Sequence, residues 1–307
     1  MLFRSSTSIA IGADGLGTIW YGESSTGALR VAHCKDTACS EFYTNNTSII
    51  GSDPAVTIGT DGLGLVSFYD QSTADLRLLH CDHVTCFDRT GPYAPITLDS
   101  AGNVGRFSSI TIGADGLGLI SYFDVTNARI KALHCGNATC TISNTITALD
   151  NTGQPGSDTS ITIGADGLGL ISYYDVANGD LKVLHCGNLV CNSGNSVTTV
   201  DNSGDVGSNS SIAIGVDGLA MVSYYDASNQ NLKALHCGNA ACNSGNISST
   251  LDINYRFIGI ANIGLYTSIA LGADGLMLIS YYEQGHADLK VFHCSNLTCS
   301  TYTRVGR

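Results

Sequence analysis

Short apolar runs separated by turn residues follow one another along the whole chain. The stretch from Ser160 to Cys191, SITIGADGLGLISYYDVANGDLKVLHCGNLVC, shows the pattern most clearly. Its β-branched and aromatic residues suit a packed sheet, and the Asp-Gly pair at Asp166 suits a tight hairpin turn. The pattern predicts four strands, named A to D, at Ser160–Ile163, Leu170–Asp175, Leu181–Cys186 and Val197–Val200. No segment keeps the apolar period of a helix, about 3.6 residues, so we expect almost no helix.

This four-strand unit recurs six times, and an Asp-Gly pair marks each copy. The pairs begin at Asp14, Asp61, Asp115, Asp166, Asp217 and Asp274, which lie 47 to 57 residues apart. A period of about 50 residues with four antiparallel strands is typical of a propeller blade, whereas the coils of a β-helix are shorter and lack hairpins. We therefore predict an all-β fold, a six-bladed β-propeller that forms one domain over residues 1–307. The predicted blades cover about residues 6–50, 51–104, 105–156, 157–207, 208–264 and 265–307.

Twelve cysteines form six pairs with one spacing, and each pair brackets the turn between strands C and D. The pairs are Cys34 with Cys39, Cys81 with Cys86, Cys135 with Cys140, Cys186 with Cys191, Cys237 with Cys242, and Cys294 with Cys299. We predict six cross-strand disulfides, because paired Cβ atoms on neighbouring strands approach to about 4–5 Å. Each closes a short loop and is worth about 2 kcal/mol. Such bridges need an oxidising compartment, which indicates an extracellular or cell-surface protein.

A histidine precedes every cysteine pair, which makes zinc an alternative. The histidines are His33, His80, His134, His185, His236 and His293. The cysteine spacing is not the usual Cys-x2-Cys, and neighbouring strand residues point to opposite faces. We therefore interpret the histidines as buried packing residues that each make one hydrogen bond.

Composition limits the partners of the protein. Only 13% of the residues are charged, the net charge is −12 and the pI is about 4.8, which argues against nucleic acid and anionic membrane surfaces. No apolar run reaches the roughly 18 residues of a membrane span, so we expect no membrane insertion. Met1 to Arg4 lead almost directly into the first strand. This short segment contains no secretion signal, whereas disulfide formation requires secretion. We therefore expect that a signal was removed or that the chain is a piece of a longer product.

Strand direction gives each blade two ends. The A–B and C–D turns share a constant end, built from Asp-Gly turns and cysteine-bracketed turns. The B–C turns and the connections to the next blade share a variable end, where lengths differ. Variable loops on a rigid scaffold carry binding functions, so we expect function at the variable end.

A carboxylate ends strand B in every repeat. These residues are Glu23, Asp70, Asp124, Asp175, Asp226 and Glu283. Asp side chains cap turns by accepting a backbone N–H two residues on, which is the interpretation we favour. A second acid five residues later makes calcium an alternative in three repeats only. These pairs are Asp70 with Asp75, Asp175 with Asp180, and Glu283 with Asp288. We expect no metal, no cofactor and no catalytic residue.

Aromatic and arginine residues at irregular positions are the candidate interaction residues. They are Trp20, Tyr93, Phe107, Tyr255, Arg256, Phe257 and Tyr266. Trp20 stands where the other repeats have serine, and packing is the role we favour for it. The others lie in long connections that can also fold back on the blades. The candidate N-glycosylation sites are Asn45, Asn46, Asn137, Asn209, Asn246 and Asn296.

The repeat SIxIGxDGL…SYYD…DLKxxHC resembles repeat propellers of secreted bacterial and metagenomic proteins. The resemblance covers all six repeats, implies the architecture and carries no assigned catalytic residue. Sialidase-like and Asp-box propellers are more distant, since the Asp-box pattern and the clustered arginines of sialidases are not matched here. Arg30, Arg77 and Arg129 are instead spread over different strands C.

Three functions are compatible with this pattern. The first is a non-catalytic extracellular scaffold or adhesion module, which self-assembles if a neighbouring copy, rather than packing between blades 1 and 6, completes the terminal blades. The second is a multivalent carbohydrate-binding propeller with extracellular glycans as partners. The third is a glycosidase or lyase that uses acids of the variable end. We favour the first, because near-identical blades give no sign of a single catalytic pocket.

Overall fold

The chain is a six-bladed β-propeller, as predicted. The structure is a computed structural model and describes residues 7–87, 93–150, 155–253 and 262–300, where no helix occurs. It divides into two compact units, Met1–Leu149 and Asp150–Arg307. A single domain over residues 1–307 stays a prediction.

Within each blade the strands pair antiparallel in chain order. Blade 1 contains β1 (Thr7–Ile11), β2 (Gly17–Gly22), β3 (Ala28–Cys34) and β4 (Phe42–Ile50). Blade 2 contains β5 (Ser52–Ile58), β6 (Gly64–Asp70), β7 (Asp75–His80) and β8 (Ile96–Asp99). Blade 3 contains β9 (Val104–Ile112), β10 (Gly118–Asp124), β11 (Arg129–His134) and β12 (Thr145–Asp150).

The second half of the chain repeats this arrangement. Blade 4 contains β13 (Pro155–Ile163), β14 (Gly169–Asp175), β15 (Asp180–His185) and β16 (Ser196–Asp201). Blade 5 contains β17 (Val206–Ile214), β18 (Ala220–Asp226), β19 (Asn231–His236) and β20 (Ile247–Asp252). Blade 6 contains β21 (Ile263–Leu271), β22 (Met277–Glu283) and β23 (Asp288–His293), three strands within the described residues.

Strand A is longer than the apolar pattern predicts. In blade 4 it begins at Pro155 instead of Ser160, because a register shift lets the chain continue pairing with β14. Asp158 lies at this shift with φ of 59°, in the left-handed region, and Asp53, Phe107, Asn209 and Tyr266 are its counterparts. The bulge breaks the strict alternation of residues, which hides the first part of the strand in the sequence.

The core consists of apolar clusters between consecutive blades of a unit. Leu232 and Ala234 of blade 5 pack with Ile269, Ile279 and Tyr281 of blade 6. The other clusters join blades 4 and 5, blades 1 and 2, and blades 2 and 3 in the same way. Strands B, C and D of one blade therefore supply a trailing face, and strands A, B and C of the next blade supply the matching leading face.

Candidate functional site

The constant end of each blade is held by a disulfide and a histidine–aspartate pair. All six predicted disulfides are present, with Cα–Cα distances of 4.6 to 5.0 Å. His185 Nε2 lies 2.7 Å from Oδ2 of Asp166, and Oδ1 of Asp166 accepts the backbone N–H of Leu168. The same histidine–aspartate pair occurs in every blade. The zinc alternative is wrong, because all twelve sulfurs are bonded to each other.

The disulfides differ in one respect from the predicted cross-strand form. The first cysteine lies at or just after the end of strand C, but the second lies in the turn that follows, with φ of 52° to 58°, in the left-handed region. Each second cysteine also donates its backbone N–H to the carbonyl three residues earlier, at 2.9 to 3.1 Å. These residues are Cys39, Cys86, Cys140, Cys191, Cys242 and Cys299. The bridge therefore fastens the C–D turn to the end of strand C, and the expected link between two paired strands is wrong.

The histidines differ in part from their predicted role. His33, His134 and His236 are buried, whereas His80, His185 and His293 are partly exposed. His33 makes two hydrogen bonds rather than one, because its Nδ1 also lies 2.9 Å from Thr18 Oγ1. The histidine and the aspartate of each pair both repeat in the sequence, always 19 residues apart. This constant separation is the sequence signal that could have predicted their contact.

At the variable end the four strand B aspartates cap their own turns, as predicted, whereas Glu23 and Glu283 interact with the side chains of Thr26 and His286. Asp70 and Asp175 accept the backbone N–H of the second residue on, while Asp124 and Asp226 accept that of the third. Most of the six strand B carboxylates also pair with a strand C cation, a contact that the repeat pattern did not predict. The pairs are Glu23–Arg30, Asp70–Arg77, Asp124–Arg129, Asp175–Lys182 and Glu283–Lys290.

A second carboxylate, at the end of strand D, joins consecutive blades. Asp201 Oδ2 of blade 4 accepts hydrogen bonds from Tyr224 Oη at 2.6 Å and Lys233 Nζ at 2.6 Å, both in blade 5. Asp99, Asp150 and Asp252 each meet an equivalent tyrosine and lysine. We call this contact the junction triad. The sequence signal was the constant spacing of 32 residues between aspartate and lysine in the contacts of Asp99 and Asp201.

Burial and hydrogen bonding act in opposite directions on these acids. Burial opposes the ionisation of Asp201, but the bonds from Lys233, Ser203 and Tyr224 outweigh it and lower its pKa to about 2. The same balance keeps the pKa of Asp70, Asp124 and Asp175 below the ordinary value. Burial, then the charge of Asp201, raises the pKa of Tyr224 far above that of free tyrosine. The acids are therefore held as ionised structural partners.

One junction departs from this plan. Between blades 1 and 2 the chain has Ile49 and Ile50 near the place of the strand D aspartate, and Phe68 and Arg77 replace the tyrosine and the lysine. A cavity of about 410 Å³ opens there at the variable end. Its lining residues are Ser48, Ile49, Ile50, Asp70, Ser72, Arg77, Tyr93, Ala94 and Pro95.

The candidate interaction residues lie in different environments. Trp20 is fully buried in the cluster between blades 1 and 2, so the packing role that we favoured is confirmed and its role as an exposed contact is wrong. Tyr93 lines the cavity and donates a hydrogen bond to the carbonyl of Cys86. Phe107 and Tyr266 lie at strand A bulges, and the ring of Tyr266 is half exposed. Tyr255, Arg256 and Phe257 lie outside the described residues.

Among the candidate glycosylation sites, only Asn46 has an exposed side chain. Asn209 is buried, and its Oδ1 accepts the backbone N–H of Tyr266. Asn137, Asn246 and Asn296 use their amides to hold the C–D turns, and Asn45 Nδ2 donates to Tyr93 Oη. Glycosylation stays a prediction.

The calcium alternative finds little support at the three acid pairs. In blade 6, ligand atoms of Glu283, His286 and Asp288 lie within 4.8 Å of one another. Glu283 already binds His286 Nδ1 through Oε1 and Lys290 Nζ through Oε2. Asp70 and Asp175 are likewise paired with Arg77 and Lys182.

Each of the two units has one apolar face that no blade of the same unit covers. On the leading face of blade 1, Ile9 is 60% exposed, whereas its counterparts Val56 and Ile110 are 7% and 8% exposed. On the trailing face of blade 6, Leu289 is 78% exposed, whereas its counterpart Leu232 is fully buried. Further exposed residues of these faces are Ile11, Leu278 and Val291. These positions form the core between blades elsewhere in the molecule.

Comparison with known proteins supports the fold. No family model and no curated protein matches the chain. A protein of unknown function from Dyadobacter fermentans DSM 18053 superposes with a TM-score of 0.65 at 11% identity, covering 94% of this chain and 92% of that one. An ulvan lyase of polysaccharide lyase family PL25 gives a TM-score of 0.61 at 13% identity, covering 94% and 78%. A mutant of the Aleuria aurantia lectin gives 0.56 at 12% identity, covering 100% and 99%.

These neighbours are propeller-type folds, and at such low identity the likeness concerns the fold alone. The propeller part of the sequence resemblance is therefore confirmed, and membership of a secreted repeat family stays a prediction. No helix in the described part of the chain is long and apolar enough to cross a membrane.

Proposed function

We propose that the protein is a non-catalytic extracellular scaffold whose copies associate head to tail through the two uncovered apolar faces. The observation that supports this proposal is the exposure of Ile9 and Leu289 at positions that are buried in the other blades. The leading face of blade 1 and the trailing face of blade 6 are complementary halves of the same interblade core. A second copy supplies the missing half of each.

The size of the apolar faces supports association. Fully burying a large aliphatic side chain gains about 1.5–3 kcal/mol, and five such side chains are exposed on the two faces. Large uncovered apolar patches on secreted proteins mark interaction surfaces. A contact between unlike faces leaves one free face on each copy of a pair, so it adds further copies and produces open chains or closed rings.

The state of the acids supports a non-catalytic role. A glycosidase or lyase needs a carboxyl group that gives up or takes a proton near neutral pH. The pKa of the strand B carboxylates Asp70, Asp124, Asp175 and Glu283 is instead lowered, since hydrogen bonds outweigh the effect of burial. Asp180 has a raised pKa, caused by burial and by the charge of Asp175 beside it. Six disulfides fit an oxidising, extracellular environment.

Sedimentation velocity and electron microscopy of the secreted protein test the association. We expect Ile9→Asp and Leu289→Asp each to abolish chains, because a charge then replaces a contact in the interface. An equimolar mixture of the two variants should form a one-to-one dimer that grows no further, since each variant keeps one intact face. The matched control is Ile142→Asp, which changes an isoleucine that is 62% exposed in a C–D turn.

A strictly monomeric wild-type protein at all concentrations contradicts head-to-tail association. That result would favour the other possibility considered from the sequence, in which blades 1 and 6 of the same chain pack against each other. Association that survives Ile9→Asp and Leu289→Asp together contradicts the role of these two faces. Association of Ile9→Asp with itself contradicts the unlike pairing.

Carbohydrate binding is the second candidate function. The lectin with a similar fold and the cavity at the variable end of blades 1 and 2 favour it. A screen against extracellular glycans, with Tyr93→Ala and Tyr266→Ala as variants, tests it. Binding that both variants retain unchanged counts against the variable end as the binding surface.

A further inference from the structure

The junction between blades 1 and 2 lacks a carboxylate that the other described junctions contain. Lys131 lies between Asp99 and Asp124, at 2.5 and 3.7 Å, and Lys290 lies between Asp252 and Glu283, at 3.4 and 2.9 Å. Lys182 has the same double contact, with Asp150 and Asp175. Arg77, which replaces the lysine in blade 2, has a single acidic partner among the described residues, Asp70.

The other two changes at this junction fit the loss of the acid. Phe68 replaces the tyrosine whose hydroxyl donates to the strand D aspartate elsewhere, for example Tyr122 to Asp99. Without the acid, that hydroxyl would be buried without an acceptor, which costs about 1–3 kcal/mol. The space of the missing acid is part of the cavity of about 410 Å³.

The guanidinium of Arg77 has unused binding capacity. Its Nη1 donates to Asp70 Oδ2 at 2.9 Å, and its Nη2 donates to the carbonyl of Pro95 at 2.6 Å. Its Nε is buried and has no hydrogen-bond partner among the described residues. A buried N–H that faces no acceptor is unfavourable, and a guanidinium binds a carboxylate better than it binds any neutral group.

We propose that this cavity binds the carboxylate of a sugar acid, such as a uronic acid at the end of a saccharide. The ligand carboxylate takes the place of the missing strand D aspartate and accepts hydrogen bonds from Arg77. The ring of Tyr93 forms an apolar wall for the sugar, and Ser48 also lines the cavity beside its polar groups. Ser72 lines it too, but its hydroxyl donates to Asp70 Oδ1 at 2.6 Å.

The local charge favours a monoanion. Lys182 and Lys290 each lie between two carboxylates, so each of those clusters has a net charge of −1. Arg77 and Asp70 together are neutral, and one ligand carboxylate gives their cluster the same net charge of −1. A dianion such as a phosphate monoester would face the carboxylate of Asp70 without a second cation among the described lining residues. The volume is within the range of small-ligand sites, about 300–1,000 Å³.

This site is independent of head-to-tail association, and it rests on the second candidate function by giving that function a ligand class. Failure of the sugar-acid site can be distinguished from failure of carbohydrate binding, because neutral glycans can bind elsewhere on the variable end while this cavity binds no ligand.

Isothermal titration of the secreted protein with D-glucuronate tests the site, with D-glucose, acetate and inorganic sulfate as comparison probes. We expect glucuronate to bind at least tenfold more tightly than each of the other three. Glucose binding as tightly as glucuronate overturns the role of the carboxylate. Acetate or sulfate binding as tightly shows an unspecific anion site and overturns the assignment to a sugar acid.

Variants locate the binding. We expect Arg77→Gln and Ser48→Asp each to weaken glucuronate binding at least tenfold. The second variant places a carboxylate of the chain in the cavity while keeping Arg77, so it retains the ion pair with Asp70; aspartate also tolerates the φ of 59° at this position. Arg129→Gln is the matched control, because this arginine pairs with Asp124 away from the cavity. Wild-type affinity in Ser48→Asp overturns the proposal.

Discussion

His185 and Asp166 are joined by a contact of 2.7 Å between Nε2 and Oδ2 that ties strand C to the A–B turn. The other oxygen of Asp166 accepts the backbone N–H of Leu168 and shapes the turn itself. One side chain therefore fixes both the form of the hairpin and its position beside strand C. Because all six blades contain the pair, it is part of the basic blade.

Removing this carboxylate should loosen the constant end of blade 4. Asp166→Ala eliminates two hydrogen bonds, and we expect a loss of about 1–3 kcal/mol in the free energy of unfolding. Urea unfolding measures the change. The control is Asp180→Asn in the same blade, where burial and the charge of Asp175 raise the pKa of the carboxyl, so its loss is neutral or stabilising. Equal destabilisation by both changes would contradict the role of the pair.

The six disulfides should decide whether the chain stays folded. Each closes a loop with a sequence separation of 5 and contributes about 2 kcal/mol, so the set contributes about 12 kcal/mol. Typical domains are stable by only about 5–15 kcal/mol. We expect full reduction to abolish cooperative thermal unfolding followed by near-ultraviolet circular dichroism, whereas Cys186→Ala with Cys191→Ala costs about 2 kcal/mol. A reduced protein with unchanged melting would contradict this account.

The junction triad of Asp201 should make the protein sensitive to acid. The folded-state pKa is lowered to about 2, so its contribution to stability is complete above pH 4 and is lost as the pH falls towards 2. In Asp201→Asn that part of the pH dependence disappears. At neutral pH we also expect a loss of about 3–5 kcal/mol, because Lys233 is left buried and unpaired.

Urea unfolding at several pH values between 7 and 2.5 measures both effects. Asp288→Asn, which changes an exposed acid of the same unit, is the control. Adding Lys233→Met to Asp201→Asn should recover part of the loss at neutral pH, since no unpaired charge is then buried. A double variant no more stable than Asp201→Asn would contradict the triad as the source of the loss.

The B–C turns offer a stabilising change. Ala74 has φ of 63° and Ala128 has φ of 49°, in the left-handed region that disfavours residues with a Cβ atom, whereas Gly27 and Gly179 stand at the same place in other blades. We expect Ala74→Gly and Ala128→Gly each to raise the free energy of unfolding by a few tenths to about 1 kcal/mol. Ala132→Gly, within β11 and away from this conformation, should lower it. A loss of stability in all three variants would show that the turn φ is not a source of strain.

The sequence predicted the features that depend on a single repeat. Strand order, hairpin turns and cysteine pairing follow from residues that lie close together in the chain, such as Cys186 and Cys191. The left-handed backbone of the second cysteine was not predicted, because spacing alone does not report φ. The contacts between distant residues were also missed, although Asp166 and His185 were both noticed. Their partnership depends on how far strand C runs past the A–B turn, which the apolar pattern leaves open.

Three further features depend on the neighbouring blade, which the pattern of a single repeat does not encode. Ile9 and Val56 occupy the same place in the motif, yet one is exposed and the other buried, because only the second has a preceding blade packed against it within its unit. Trp20 was assigned two roles, and its burial against blade 2 decides between them. The sequence did not predict the cavity, because the substitutions at Phe68 and Arg77 are each conservative. Only in combination do they indicate that the junction triad is absent between blades 1 and 2.

The junction triad has its acceptor at the end of one repeat and its donors in the middle of the following one. Each tandem copy of the repeat therefore contains an acid that pairs with the following copy, and a tyrosine and a lysine that pair with the acid of the preceding copy. Blades can be added or lost by duplication and deletion without inventing any new contact, and only the outermost copies are left with unmatched halves. The contacts between blades therefore record how such a chain is built from copies, and the junction between blades 1 and 2 is a described junction at which the matching acid is missing.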